Sequence, residues 1–330
     1  MPLTEAELAA AIARGDKSSV ARALNLIEDR RPEAHARIER LLAALRPREA
    51  VQRIGLTGPP GVGKSTLTSV LARELRQRGR SVGVLAVDPS SVRSGGALLG
   101  DRARMDFDPQ DQRLFVRSLA TAGDSGGLAY AATAIVAVLS AAYDRVLVET
   151  TGVGQSETDV EHVVDTVCLV VQPGSGDVLQ FIKAGIMEIP DLIVVNKGDQ
   201  KMLAERAASD LATALSALRG VGVGNTGTGW QVPVLVTSAR DGVAIDQLAD
   251  ALDAHGAAFS PLALAARRTA GAAHWTLALL QRRFGEHAIE ALGGREHVHE
   301  SVLRALASDT HPLRVATELG DAYLRALRAK

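Results

Sequence analysis

The stretch Gly55–Leu67, GLTGPPGVGKSTL, decides the fold of this 330-residue chain. Within it, Gly58–Ser65 satisfies the pattern G-x-x-x-x-G-K-S, preceded by the apolar run RIGL and followed by the helix-patterned STLTSVLAREL. Strand, glycine-rich loop and helix form the context in which this motif has a mechanism. Gly58, Gly61 and Gly63 let the backbone curl so that its N–H groups converge on phosphate oxygens, and the following helix N-terminus adds a favourable dipole. Pro59 and Pro60 have no N–H, so the donors run from Gly61 through Val62, Gly63, Lys64, Ser65 and Thr66. The Lys64 ammonium is placed to reach the β- and γ-phosphates, and the Ser65 hydroxyl to ligate magnesium. The loop alone does not say what becomes of the nucleotide.

Outward from the loop, short apolar runs alternate with helical stretches. The runs are VQRIGLTG, SVGVLAVD, RLFVRS, DRVLVETTG, DTVCLVVQ, DLIVVNKGD and VPVLVTSA; the helical stretches include Ser65–Arg78 and Leu128–Ala142. Runs apolar on both faces belong to a mostly parallel sheet covered by helices on both sides, so the expected class is α/β, doubly wound. Residues 1–48 read as a helical extension, with Thr4 and Glu7 at capping-box spacing. Residues 49–257 read as the nucleotide-binding domain. Residues 258–330 read as a helical arm, broken by Pro261, Gly293–Gly294 and Pro312 into about three pieces and suited to dimerisation. The glycine-rich Gly220–Gly229 precedes a strand and reads as a loop.

Composition narrows the function classes. Hydrophobic residues are 46% and charged residues 23%, as in an ordinary globular protein. A net charge of −1 lacks the basic excess that phosphate neutralisation on a nucleic acid requires. No apolar run reaches the roughly 20 residues of a membrane span, and the first residues lack the shape of a signal peptide, so a cytoplasmic location is expected. The single cysteine, Cys168, sits in an apolar run and reads as a buried small hydrophobe.

Two carboxylates end predicted strands on the loop's edge of the sheet: Asp88 after VGVLAV and Glu149 after DRVLV. Carboxyl ends of parallel strands line the ligand crevice, so both should face the phosphates and metal. Gly152, in ETTG, could offer its N–H to the γ-phosphate. Base identity comes from NKGD, Asn196, Lys197, Gly198 and Asp199. The Asp199 carboxylate can accept from guanine N1–H and its exocyclic amine, whereas adenine offers neither. A buried carboxylate left unpaired costs about 1–3 kcal/mol, so guanine wins. TSAR, with Ser238, Ala239 and Arg240, is placed to finish the base pocket. Together these residues describe a GTPase.

TGPPGVGKST, VDPSS, GALLGDRARM, ETTGVGQSE, QFIKAGIMEIPDLIVVNKGD and TSA resemble the MeaB/ArgK family, GTPases that serve as chaperones of cobalamin-dependent acyl-CoA mutases such as methylmalonyl-CoA mutase. The resemblance implies a homodimer whose nucleotide state gates loading of adenosylcobalamin into the mutase, the cobalamin being held by that partner. It implies a magnesium neighbourhood of Ser65, Asp88, Asp101 and Glu149, and a switch segment in which Lys183 supplies positive charge to the transition state. One departure is Gly198, where alanine is commoner in the family, a change that should loosen the loop.

Three alternatives stand beside this reading. A kinase-type phosphotransferase would use the same loop but needs an acceptor site. A nickel-type metallochaperone GTPase would need Cys/His ligands, and His297 and His299 read instead as a solvated helix surface. A non-catalytic nucleotide-binding module would not need Lys64, Ser65, Asp88 and Glu149 together.

Overall fold

The computed structural model describes residues 3–29, 31–88, 107–108, 110–120, 130–150, 159–174, 190–220, 229–308 and 310–328. Among these residues seven strands form one sheet: β1 Gln52–Thr57, β2 Val82–Asp88, β3 Leu114–Ala120, β4 Arg145–Glu149, β5 Thr166–Val171, β6 Leu192–Val195 and β7 Val234–Val236. Their spatial order is β3-β2-β4-β1-β5-β6-β7, and every pairing is parallel. Each of the seven apolar runs is thus a strand of a doubly wound sheet.

Alternation along the strands divides the core. Ile54 and Leu56 of β1, Val82 and Val84 of β2 and Leu147 of β4 face helix α4, Lys64–Gln77, while Leu85, Val87, Val146 and Val148 face the opposite layer. That opposite layer holds α5, Tyr130–Ala142, and the N-terminal helices α1 Glu5–Ala13, α2 Lys17–Ile27 and α3 Pro32–Ala44. Ile12, Leu24 and Leu41 are fully buried there beside Ile135 and Leu139. Burying each such side chain contributes about 1.5–3 kcal/mol, so the N-terminal helices share a core with the sheet. Helix α1 begins with the expected capping box: Thr4 Oγ1 accepts from Glu7 N at 3.3 Å, and Glu7 Oε2 accepts from Thr4 N at 2.8 Å. Helix α6, Lys201–Gly220, covers β5 and β6, and α7, Ile245–Ala258, packs beside α4.

The C-terminal part differs from expectation. Its described residues form four helices, α8 Pro261–Phe284, α9 Glu286–Ala291, α10 Arg295–Ala307 and α11 Pro312–Arg328, because Gly285, at φ 76°, adds a break. Helix α8 starts at the Ser260 cap and crosses a short 3-10 turn, Val160–His162. A Cβ on Gly271 would lie 2.2 Å from the His162 carbonyl oxygen, so glycine permits the crossing. Two arginines then fasten α8 to the amino-terminal edge of the sheet. Arg268 grips Asp165, just before β5, through Nε–Oδ1 and Nη2–Oδ2 contacts of 2.7 Å each. Arg267 holds Asp191, just before β6, at 2.8 and 3.2 Å. Burial pushes the Asp191 carboxyl up, but the His255 hydrogen bond and the Arg267 charge outweigh it and hold the carboxyl below its usual range. Among the described residues no helix is long and apolar enough to cross a membrane.

Candidate nucleotide-binding site

The loop after β1 lies at the carboxyl edge, opposite the α8 clamp. From β1 the chain steps outward to β2 on one side, and after β4 it crosses to β5 on the other. Ligand crevices of open α/β sheets form at such a reversal. Gly58 adopts φ 140°, and a Cβ there would fall 2.0 Å from the Val170 carbonyl oxygen of β5. Gly63, at φ 92°, caps α4, and its Cβ would fall 2.6 Å from Asn196 Nδ2. Both glycines therefore answer to backbone and side-chain neighbours within the protein. Gly61 is exposed with open space around it, Val62 is fully buried, and Thr66 faces outward on the first turn of α4.

Lys64 is buried, and its Nζ donates to the carbonyls of Gly58 at 2.6 Å and Pro59 at 2.9 Å, so the ammonium lies across the loop. Pro59, unable to donate, serves as an acceptor. Ser65 Oγ donates to Glu149 Oε1 at 2.6 Å. Glu149, only 5% exposed, ends β4 beside β1, where Leu56 and Glu149 are in register. Asp88 closes β2, the next strand outward, in the same sheet edge; its side chain lies outside the described residues. Thr150, buried beyond Glu149, donates its N–H to Leu56 O at 3.1 Å and its hydroxyl to Thr57 Oγ1 at 3.1 Å. The following Gly152 lies outside the described residues, as do Asp101 and Lys183.

The second half of the site is organised by Asn196, 2% exposed at the end of β6. Its Nδ2 donates to the Val62 carbonyl at 2.9 Å, and its Oδ1 accepts from Ala239 N at 3.0 Å and Thr237 Oγ1 at 3.4 Å. One amide thereby ties the phosphate loop to the TSAR segment. Lys197 adopts φ 63°, a left-handed conformation uncommon for a lysine, and donates to Gln172 Oε1. Its neighbour Gly198 is tightly held: its N–H donates to Thr237 O at 2.8 Å, and a Cβ would lie 3.0 Å from both Thr237 O and Val236 Cγ1. Glycine here lets the loop close on β7, where loosening was expected.

Ser238 Oγ donates to Asp241 Oδ2 at 2.7 Å and accepts from Asp241 N, shaping the turn that carries buried Ala239 and exposed Arg240. Asp199 departs from expectation in one respect. Its side chain is exposed at the start of α6, because the chain turns outward after the buried Asn196. The carboxylate meets water as it stands and carries no cost of unpaired burial. Sequence reasoning grouped Asn196 with the base contacts and missed its bridge to Val62 and Ala239; nothing in NKGD announces a partner 134 residues away. It also missed Gln172 and Thr57.

The donor set at Ser65 and Glu149 is hard oxygen, the chemistry that suits a magnesium ion. Elsewhere, His297 and His299 are exposed on α10. Cys168 is buried, its thiol pushed up to about 12 by burial and by the charge of Asp191, which makes it inert.

The sequence model of a family described as methylmalonyl Co-A mutase-associated GTPase MeaB matches residues 20–292. A GTPase of Escherichia coli, ArgK, is 40% identical over 253 residues, 74% of this chain and 75% of its own. The mouse (Mus musculus) protein named methylmalonic aciduria type A homolog, mitochondrial, is 34% identical over 334 residues, covering 97% of this chain and 78% of its own. A crystal structure titled LAO/AO transport system kinase superposes with a TM-score of 0.67 at 28% identity, over 98% of both chains.

Proposed function

The chain belongs to the family of methylmalonyl-CoA mutase-associated GTPases, MeaB, and from that premise we propose that it is a magnesium-dependent GTPase chaperone of an adenosylcobalamin-dependent acyl-CoA mutase. It gates loading of the cofactor into that partner and protects it there. The observation that carries the reading is the Asn196 bridge, which makes the phosphate loop and the base segment one hydrogen-bonded unit, as a guanine nucleotide spanning both would require.

In this reading the loop N–H groups from Gly61 to Thr66 and the Lys64 ammonium hold the phosphates. Ser65 and Glu149, with Asp88 and Asp101, hold magnesium, which when bound neutralises charge on the terminal phosphates. Gly152 reports the γ-phosphate. Lys197, Asp199, Ser238, Ala239 and Arg240 form the base pocket behind Asn196. Lys183 brings a cation to the transition state, a device worth about 10³–10⁵ in rate where an arginine supplies it. Residues 1–48, 49–257 and 258–330 act as N-terminal extension, GTPase domain and dimerising arm, and the protein works in the cytoplasm.

The test is to purify the chain with each acyl-CoA mutase of its source genome and to measure GTP hydrolysis alone and with each partner. One mutase should co-purify and raise turnover, and Lys183→Ala should keep GDP binding and lose that stimulation. No stimulation by any mutase would refute the chaperone role. Transfer of labelled γ-phosphate to an amino-acid acceptor would favour a phosphotransferase.

A further inference from the structure

A cavity of about 250 Å³ lies where α3, α5, the Val160–His162 turn, α8 and the start of α11 meet, on the side of the sheet away from α4. Leu42, Val136 and Val163 line its apolar part, and the guanidinium groups of Arg46, Arg53 and Arg268 with Thr133 and His311 contribute polar groups. It therefore combines a greasy body with a polar end, the ordinary form of a small-molecule site.

The polar end is under-bonded. Arg53 Nε donates to Ser140 Oγ at 3.0 Å, but neither Nη1 nor Nη2 makes a hydrogen bond or ion pair among the described residues. The acid beside it, Asp165, is gripped through both carboxylate oxygens by Arg268, and accepts from Arg53 only through the backbone N–H. Two guanidinium groups thus lie beside one carboxylate, and among the described residues no other carboxylate pairs with the Arg53 side chain. The other acids of the turn, Asp159 and Glu161, do not line the cavity. Thr133 Oγ1 is buried with no hydrogen-bond partner among the described residues. A buried hydroxyl without a partner is costly; Arg53 is half-buried, and desolvation pushes its guanidinium down to about 10. His311 Nδ1 accepts from Leu313 N at 3.2 Å, which leaves Nε2 to carry the proton of the neutral ring.

We propose that this cavity binds a small monocarboxylate with an apolar body, its carboxylate paired to the Arg53 fork and its hydrocarbon against the α3 and α5 walls. Of the three guanidinium groups that line the cavity, Arg268 is engaged by Asp165 and Arg46 Nη1 by the carbonyls of Ala43 and Leu45, and the planar Arg53 fork with both terminal nitrogens open matches a carboxylate. A cavity of about 150 Å³ admits benzene, so this one holds roughly ten non-hydrogen atoms.

The experiment is calorimetric titration of the full chain with hexanoate, 1-hexanol and inorganic phosphate. Hexanoate should bind saturably at one site, at least tenfold more tightly than hexanol or phosphate. Arg53→Met should weaken hexanoate at least tenfold while hexanol changes less than threefold. Ala137→Leu, which fills the cavity without touching Arg53, should abolish binding of both. GDP affinity within twofold of the parent serves as the fold control for each variant. Equal binding of hexanol, tighter binding of phosphate, no saturable hexanoate binding, or Ala137→Leu binding hexanoate as the parent does would each overturn the proposal.

Discussion

Ser65 and Glu149 meet at 2.6 Å, the first turn of α4 joined to the last residue of β4 across 84 positions of chain. Two groups suited to a hard cation are thereby held together by the sheet and the helix. Glu149→Gln keeps the size and one acceptor but removes the charge. Magnesium-supported GTP hydrolysis should fall, and the magnesium needed for half-maximal rate should rise, by about 10–100-fold. GDP binding without magnesium should stay within threefold. A magnesium titration of the rate, with the parent alongside, reads this; an unchanged midpoint removes Glu149 from the metal neighbourhood.

Asn196 makes a sharper claim about stability. Asn196→Ala leaves the Val62 carbonyl and the Ala239 N–H buried without their partner. Each orphaned group costs about 1–3 kcal/mol, so unfolding in urea should lose about 2–6 kcal/mol. GDP affinity should fall with it, because the loop and the base segment lose their common tie. Full stability in the variant would show that the bridge is incidental.

Asp199 tests base choice. Asp199→Asn replaces one acceptor oxygen by a donor, which suits a purine bearing oxygen at C2. Guanine nucleotide binding should weaken by about tenfold or more, equivalent to about 1.4 kcal/mol, while xanthine nucleotide binding tightens. Competition of GDP, XDP and ADP against a fluorescent nucleotide measures it. Retained preference for guanine would sink the base-pocket assignment.

His311 predicts a pH dependence. Burial pushes its pKa down to about 4 from the ordinary 6.5. Between those values the unfolded chain binds a proton that the folded chain refuses, so stability falls as pH drops from about 6.5 towards 4. His162 acts in the same direction, being pushed down to about 4 by burial and by His274. His311→Asn should flatten part of the slope between pH 6.5 and 4 and leave the pH dependence above 7 unchanged. Urea unfolding across that range checks the sign; a slope identical to the parent's would refute it.

The strands were legible because a parallel sheet buries both faces, so RIGL, VGVLAV and TVCLVV announce themselves without alternation. The phosphate loop was legible because its glycines, lysine and serine are contiguous. What escaped is what folding brings from afar. Asn196 finds Val62, Arg267 finds Asp191 and Arg268 finds Asp165 across 76 positions or more, and local periodicity carries no trace of such pairs. Gly285 escaped for a different reason: a lone glycine inside a helical pattern is tolerated as often as it ends one. The exposure of Asp199 was illegible because it depends on the direction the chain takes after Asn196.

Arg267 and Arg268 are consecutive, about 100° apart around α8, and each grips the start of a different strand. The two contacts therefore key the rod's angular phase as well as its position. Adding or deleting one residue between Ser260 and Arg267 would turn that phase by about 100° and unseat both keys at once, whereas changing the outward-facing Leu262 leaves them engaged. In this arm, segment length is as strict a requirement as residue identity.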